Sequence, residues 1–469
     1  MAKLIPIYTW NKGVLQFNKN RDRLSKQPWF QGVLLLVCVI AAMLLANLPF
    51  TRELYEDVLQ TNMQLHLFSG DGKVNILFPR DMTVERFIND ILMVLFFFTV
   101  GLEIKREVAY GELSSPKKAL MPVIAAFGGV LAPALIYTAV NHGTPAASGW
   151  GIPTATDIAF AVCILSVLGD KVPLSMKVFL TALAIADDLI AILVVAIFYG
   201  GSINLPILAV AFVVIALSLL LRHIGEKRLF PYILCSIVVW ALFYYSGIHA
   251  TMSGVVMAFI IPAKARYNKA QYYHKRNHYI AELDRFDSID DDSEFPNGPQ
   301  KHCLRQLDKI ARGSMDLSYR VEHALTPWVN FAIMPIFALA NAGVFISDPA
   351  YFNVFSYSPQ AGSVSMGIFL GLLLGKPLGI TIFSWLAIKA KVGQMPQHTT
   401  WPLFFAVACL GGIGFTMSIF VDTLSFGDQA PEIMAAMRNA GKMAVLLGSV
   451  CAGVLGSILV NIIYKIQKK

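Results

Sequence analysis

Charge is scarce in this chain: Asp, Glu, Lys and Arg make up only 14% of its 469 residues. With 56% hydrophobic residues and a mean hydropathy of +0.59, there is too little polar surface to cover a soluble core, and a lipid solvent is expected. Cysteine is sparse too, with six residues and no metal-ligand spacing among them. Cys38, Cys163, Cys235, Cys409 and Cys451 lie in apolar stretches and read as reduced, small hydrophobes. The first apolar run has spanning length and lacks a small-residue cleavage site, so a retained span and no cleaved signal are expected. The net charge of +8 resides at loop ends, where membrane topology alone requires cations, and it argues against nucleic acid as a partner.

A spanning helix needs roughly 20 mostly apolar residues. Such stretches lie near 29–49, 86–104, 118–141, 153–169, 175–199, 203–221, 231–247, 248–263, 326–345, 365–388, 403–422 and 440–464. They predict an all-α membrane protein of about twelve spans. Positive charge alternates between loops in agreement with that count. Lys3 to Lys26 precede the first span; Lys105, Arg106, Lys117 and Lys118, then Lys171, then Arg222, Lys227 and Arg228 follow in alternate loops. Loops 142–152, 200–204 and 346–364 carry almost none. Both termini are therefore expected in the cytoplasm.

Three regions follow: helices 1–8 over residues 1–263, a polar cytoplasmic insertion over 264–320, and helices 9–12 over 321–469. The insertion holds an acidic run, Asp290 to Asp292 and Glu294, and the turn signal Pro296-Asn297-Gly298-Pro299. Such charge blocks read as solvated or disordered rather than regulatory.

Two spans contain helix-interrupting sequences: Gly151-Ile-Pro-Thr-Ala-Thr-Asp157 in the fourth and Gly411-Gly-Ile-Gly-Phe-Thr416 in the eleventh. Unwound backbone in a bilayer survives only where protein or a watery cavity satisfies it, so paired breaks point to inverted repeats crossing at a binding site. Glycine for close helix packing and Pro153 as a first-turn residue account for the same letters.

Asp187 and Asp188 sit near the middle of the fifth span, where an ionisable residue costs at least roughly 2.5–3.5 kcal/mol and therefore implies function. Neighbours on a helix point about 100° apart, so the two need different partners. Lys376, in the middle of the tenth span, is the natural counter-charge for one of them. Asp157 can neutralise the positive ends of two half-helices that meet, and Thr156 and unwound carbonyls add hard oxygens suited to an alkali cation. Burial favours the neutral form of a carboxylate, so cation and proton compete for the same oxygens, and alternating access turns that competition into antiport. Glu103, Lys105, Arg106, Glu107, Glu322 and His323 read as interface or entrance charges, with Asp90 and Glu85 further back. His249 reads as a titrating or a satisfied interfacial histidine.

Thr154-Ala-Thr-Asp157-Ile-Ala-Phe-Ala, Ala184-Ile-Ala-Asp-Asp188-Leu, Gly375-Lys-Pro-Leu-Gly379 and Gly412-Ile-Gly-Phe-Thr-Met-Ser-Ile-Phe420 resemble the signature segments of NhaA-type sodium/proton antiporters. Val100-Gly-Leu-Glu103-Ile-Lys-Arg-Glu107 and Ser246-Gly-Ile-His249-Ala-Thr fit as well, and the resemblance runs from the first span to the last. It implies twelve helices with interrupted helices 4 and 11, and electrogenic exchange of cytoplasmic Na+ or Li+ for external H+ across a bacterial inner membrane. It also implies a homodimer built on an outer hairpin near 50–85. Asp188 would be the principal cation ligand, Asp187 a second Na+ ligand position and the partner of Lys376, and Asp157 and Thr156 the residues at the helix crossing. Glu103, Glu107, His249 and Glu322 match positions tied to alkaline activation. No cofactor is implied beyond the transported ions. The insertion departs from the family, whose corresponding loop is short. Two rivals are an intramembrane aspartyl-protease dyad of Asp157 and Asp187, which leaves Asp188 and Lys376 without roles, and a passive cation channel.

Overall fold

The computed structural model describes residues 28–63, 65–68, 75–78, 82–201, 203–287, 296–346, 353–355, 362–427 and 429–468. Lys3 to Lys26 and the acidic run at 290–294 lie outside them.

The described residues are helical apart from one two-stranded antiparallel sheet. Helix α1 (Pro28–Asn47) and α2 (Arg52–Gln60) precede strands β1 (Leu65–Phe68) and β2 (Asn75–Phe78), paired with Leu65 opposite Phe78. Then come α3 (Val84–Tyr110) and α4 (Pro116–Val140), followed by a 3-10 segment, Pro145–Thr154, that leads into α5 (Ile158–Leu168). Next are α6 (Leu174–Phe198), α7 (Leu205–Ile224), α8 (Leu229–Ser246) and the short α9 (Met252–Ile260). The insertion forms α10 (Lys269–Asp287) and α11 (Gly298–Ser314). The chain ends with α12 (Leu317–Asn341), α13 (Val364–Lys389), the pair α14 (Trp401–Leu410) and α15 (Phe415–Ser425), and α16 (Pro431–Gln467).

Nine described helices are long and apolar enough to span a bilayer, and two bent pairs raise the number to eleven. The remaining segment of the expected twelve, 248–263, holds only α9 with nine residues. At 1.5 Å per residue it is about 14 Å long, against a hydrocarbon core of about 30 Å. The exposed faces of these helices are apolar, as with Val37, Ile40 and Leu44 on α1 and Phe212, Val213 and Leu220 on α7. Such faces fit lipid and not water.

The chain divides into two units. One holds residues 1–93, 107–200 and 330–469; the other holds 94–106 and 201–329. The first packs Leu180, Leu183, Ile380, Phe404, Val407 and Leu410 into its core, and the second packs Leu102, Tyr232, Val239, Phe243 and Met257. Helix α6 is the most enclosed of the nine unbroken spans, with 72% of its central stretch buried against 11% for α7. That enclosure is where the sequence places Asp187 and Asp188.

Two features differ from the sequence reading. The stretch 142–152, read as a loop, contains the buried 3-10 segment; its Gly, Ser and Pro content is that of a loop, and only packing orders it. The insertion, read as solvated or disordered, forms two helices, and Asn297 and Gln300 make a reciprocal capping box at the start of α11. The stretch near 50–85, where a hairpin is expected, holds the β1–β2 pair beside the amphipathic α2, whose Tyr55 Oη donates to the Leu339 carbonyl at 2.7 Å.

Helix α13 presents Gly371, Gly375 and Gly379 at four-residue spacing, which places them on one face. A Cβ on Gly371 would meet Pro153 at 2.7 Å, one on Gly375 the Pro133 backbone at 2.8 Å, and one on Gly379 the Gly128 carbonyl oxygen at 2.1 Å. The stripe lets α4 and α13 touch backbone to backbone, as small residues do between membrane helices. Gly379→Val is therefore expected to lower stability by about 3 kcal/mol through overpacking, seen as a lower thermal midpoint in detergent. A midpoint equal to that of the parent would remove the packing role.

Candidate functional site

The two interruptions supply the frame of the site. Segment 145–154 meets α5 at 41° and α14 meets α15 at 53°, with Ala155–Asp157 and Gly411–Gly414 as the breaks. Tyrosines satisfy much of the unwound backbone: Tyr199 Oη accepts from the Gly151 amide at 2.9 Å and donates to the Ser148 carbonyl at 2.8 Å, and Tyr137 Oη donates to Ala146 O at 2.8 Å. The breaks also bond to each other, since the Asp157 amide donates to the Ile413 carbonyl at 2.6 Å.

Asp157 is the N-cap of α5, its Oδ1 accepting from the Phe160 amide at 3.2 Å. Its Oδ2 reaches the first turn of α15, accepting from Thr416 Oγ1 at 2.5 Å and the Thr416 amide at 3.1 Å. One carboxylate therefore caps two half-helices whose positive ends converge, at a depth where water does not do so.

Lys376 approaches along α13. Its position follows from a π turn, Gly371–Gly375, that ends at its own residue, and from Pro377, which has no amide to give back to the helix. Lys376 Nζ bonds to Asp187 Oδ2 and donates to Thr156 Oγ1 at 2.6 Å; both ion-pair side chains are fully buried. The Thr156 hydroxyl has two acceptors for its one proton, Asp187 Oδ2 at 2.6 Å and the Gly411 carbonyl at 2.8 Å. Asp187 Oδ1 has no hydrogen-bond partner among the described residues. Asp188 is buried on the next position of α6 and acts on Lys376 electrostatically.

The structure thus brings Asp157, Thr156, Asp187, Asp188 and Lys376 into the first unit, on three separate segments. Asp157 and Asp187, the two carboxylates a protease dyad would need, engage different partners, Thr416 and Lys376. The cluster offers carboxylate, hydroxyl and carbonyl oxygens, a hard donor set suited to a small cation.

The entrance residues sort differently. In the second unit Arg106 holds both Glu103, at 3.7 Å, and the buried Glu322. Beside them Lys105 Nζ donates to the carbonyls of Ala258 and Phe259, each at 3.1 Å, and to Ile261, closing the C-terminal end of α9. His249 lies at the link between α8 and α9, its carbonyl accepting from the Met252 amide at 3.0 Å. Glu107 belongs to the first unit and accepts from the Glu112 amide at 3.1 Å.

Two residues were not singled out from sequence. Thr416 sits in a quoted motif, but its bond to Asp157 exists only across 259 positions. Asp422 is fully buried in α15, and neither of its carboxylate oxygens has a hydrogen-bond partner among the described residues. It faces the charges of Lys442 and Arg438 on α16, and a Cβ on Gly441 would come within 2.0 Å of its Oδ1. The signal that revealed Asp187, a charge inside an apolar span, was present for Asp422 as well.

An all-α, multi-pass membrane protein with an ionic cluster enclosed at the crossing of two interrupted spans is the class these observations define. The family described as Na+/H+ antiporter 1 matches residues 22–460. The Na(+)/H(+) antiporter NhaA of Oleidesulfovibrio alaskensis is 41% identical over 435 residues, 92% of either chain. Those of Escherichia coli and Shigella boydii are 40% identical over 426 residues, 91% of this chain and 93% of theirs. The chain belongs to the Na+/H+ antiporter 1 family, a family of transporters.

Proposed function

We propose that this protein exchanges Na+ or Li+ for H+, electrogenically, across a bacterial inner membrane, and that cation and protons compete for Asp187 and Asp188. The observation that carries the reading is the buried Lys376–Asp187–Thr156 cluster beside Asp157, all at the crossing of the two breaks. Asp188 serves as principal cation ligand. Lys376 holds Asp187 charged when the site is empty of cation, and Asp157 keeps the two half-helices together. Glu103, Glu107, His249 and Glu322 set an increase of activity at alkaline pH. The distribution of positive charge among the loops supports cytoplasmic termini. Residues 1–263 and 321–469 form the membrane region around the insertion, and the β-hairpin serves a homodimer surrounded by lipid.

The test is transport in proteoliposomes with a trapped pH dye and an inside-acid gradient, with Na+, Li+ or K+ added outside across about pH 6.5–9. Na+ and Li+ are expected to dissipate the gradient. If one proton competes with the cation, the apparent KM for Na+ rises about tenfold per unit fall in pH below the site's apparent pKa, with the maximal rate unchanged. A pH-independent KM would overturn competition while leaving exchange intact. Failure of every cation to move protons would overturn exchange itself.

A further inference from the structure

The polar insertion has no part in the ion site, yet it builds a cavity. An open cavity of about 660 Å³ lies between α10, α11, the start of α12 and the turn that joins α7 to α8, all within the second unit. That volume is in the range of small-molecule pockets.

Its lining is one-sided in charge. Eight lysines and arginines face one carboxylate, Glu226. Lys227 and Arg228 come from the α7–α8 turn, Lys275 from α10, Lys309 and Arg312 from α11 and Arg320 from α12. Glu226 is already engaged, its Oε1 accepting from the amides of Lys227 at 3.0 Å and Arg228 at 2.8 Å. Of the eight cations, Arg312 has a carboxylate partner outside the lining, Asp308 at 2.8 Å, and that pair is solvent-exposed and weak.

The walls are fixed. Gly225 takes φ +87° at the end of α7, which turns the chain sharply into the cationic pair. The amides of Arg266 and Tyr267 both donate to the Gly313 carbonyl, at 2.8 and 3.0 Å, tying the segment after α9 to the end of α11. A Cβ on Gly313 would meet the Tyr267 ring at 2.6 Å, so the contact needs glycine. Eight like charges held around one concavity repel one another and raise the local potential, and a multivalent anion relieves that cost.

We propose that this cavity binds a soluble anion carrying several phosphate groups. A phospholipid headgroup offers the same phosphate chemistry, but the apolar part of the lining is confined to Ile310, Met315 and Leu317 beside eight cations, which favours a soluble anion over acyl chains. The eight cations are all solvent-exposed. The site owes nothing to the transport reading, and its test can fail separately.

The experiment is calorimetric titration of the full-length protein in uncharged detergent at low salt, with tripolyphosphate and then orthophosphate as probes. Tripolyphosphate is expected to saturate one site with Kd below about 100 μM, and orthophosphate to bind at least about tenfold more weakly. The triple variant Lys275→Gln, Lys309→Gln, Arg320→Gln changes exposed side chains only and is expected to weaken tripolyphosphate at least about 100-fold. Lys389→Gln, an exposed charge outside the cavity, is expected to leave the titration unchanged. No saturation by about 10 mM probe, or equal binding by the triple variant, overturns the proposal. So does displacement of bound tripolyphosphate by an equimolar amount of cardiolipin in the same detergent, because the site then serves a lipid.

Discussion

Asp188→Asn is expected to lower Na+-driven proton release from proteoliposomes at least about 100-fold while shifting thermal stability by less than about 1 kcal/mol. The substitution keeps the shape of the side chain and deletes its charge. An amide neither binds and releases a proton near neutral pH nor supplies an anionic ligand, so cation and proton lose the group for which they compete. The small effect on folding follows because the isosteric amide keeps the packing of the side chain and leaves the Lys376–Asp187 pair in place. Dye dequenching gives the rate and differential scanning in detergent gives the stability. Near-parental exchange by the variant would remove Asp188 from the path and leave Asp187 or Asp422 as the group to examine.

Lys376→Met carries the largest expected cost in stability, about 3–5 kcal/mol, because it strands a fully buried carboxylate. Methionine fills much of the lysine's volume, so the loss is electrostatic and not a cavity. Asp187 Oδ2 keeps only the Thr156 hydroxyl, and Oδ1 has no partner to share the load. Adding Asp187→Asn to Lys376→Met removes the stranded charge and is expected to restore most of the lost stability without restoring exchange. The thermal midpoints of the parent, the two single variants and the double variant form a cycle whose coupling reports the pair. Additive midpoints would mean that the pair contributes nothing to folding.

The legibility of the chain varied with how local the determining physics is. Spanning helices were readable because each apolar run satisfies its own backbone in lipid. Residues 248–263 read as a span by composition alone, yet only nine of them form α9, whose C-terminal end is closed by Lys105 on the carbonyls of Ala258 and Phe259. The segment 145–154 read as a loop because glycine and proline carry no helical signal, and its order comes from Tyr137 and Tyr199, distant in sequence or on another helix. The insertion's charge suggested a solvated stretch, whereas its capping box and the Gly313 contact make it a helical pair with a cavity.

By itself the sequence determined the solvent, the approximate number of spans, the two breaks and the buried charges, because hydropathy and the cost of burying charge act residue by residue. Tertiary structure alone decided the partners. That Asp157 caps a half-helix 259 residues away through Thr416, that Lys376 pairs with Asp187, and that eight scattered cations surround one cavity depend on which helices pack together. Packing is set by glycine stripes and interlocking side chains across the whole chain, and no local window contains them.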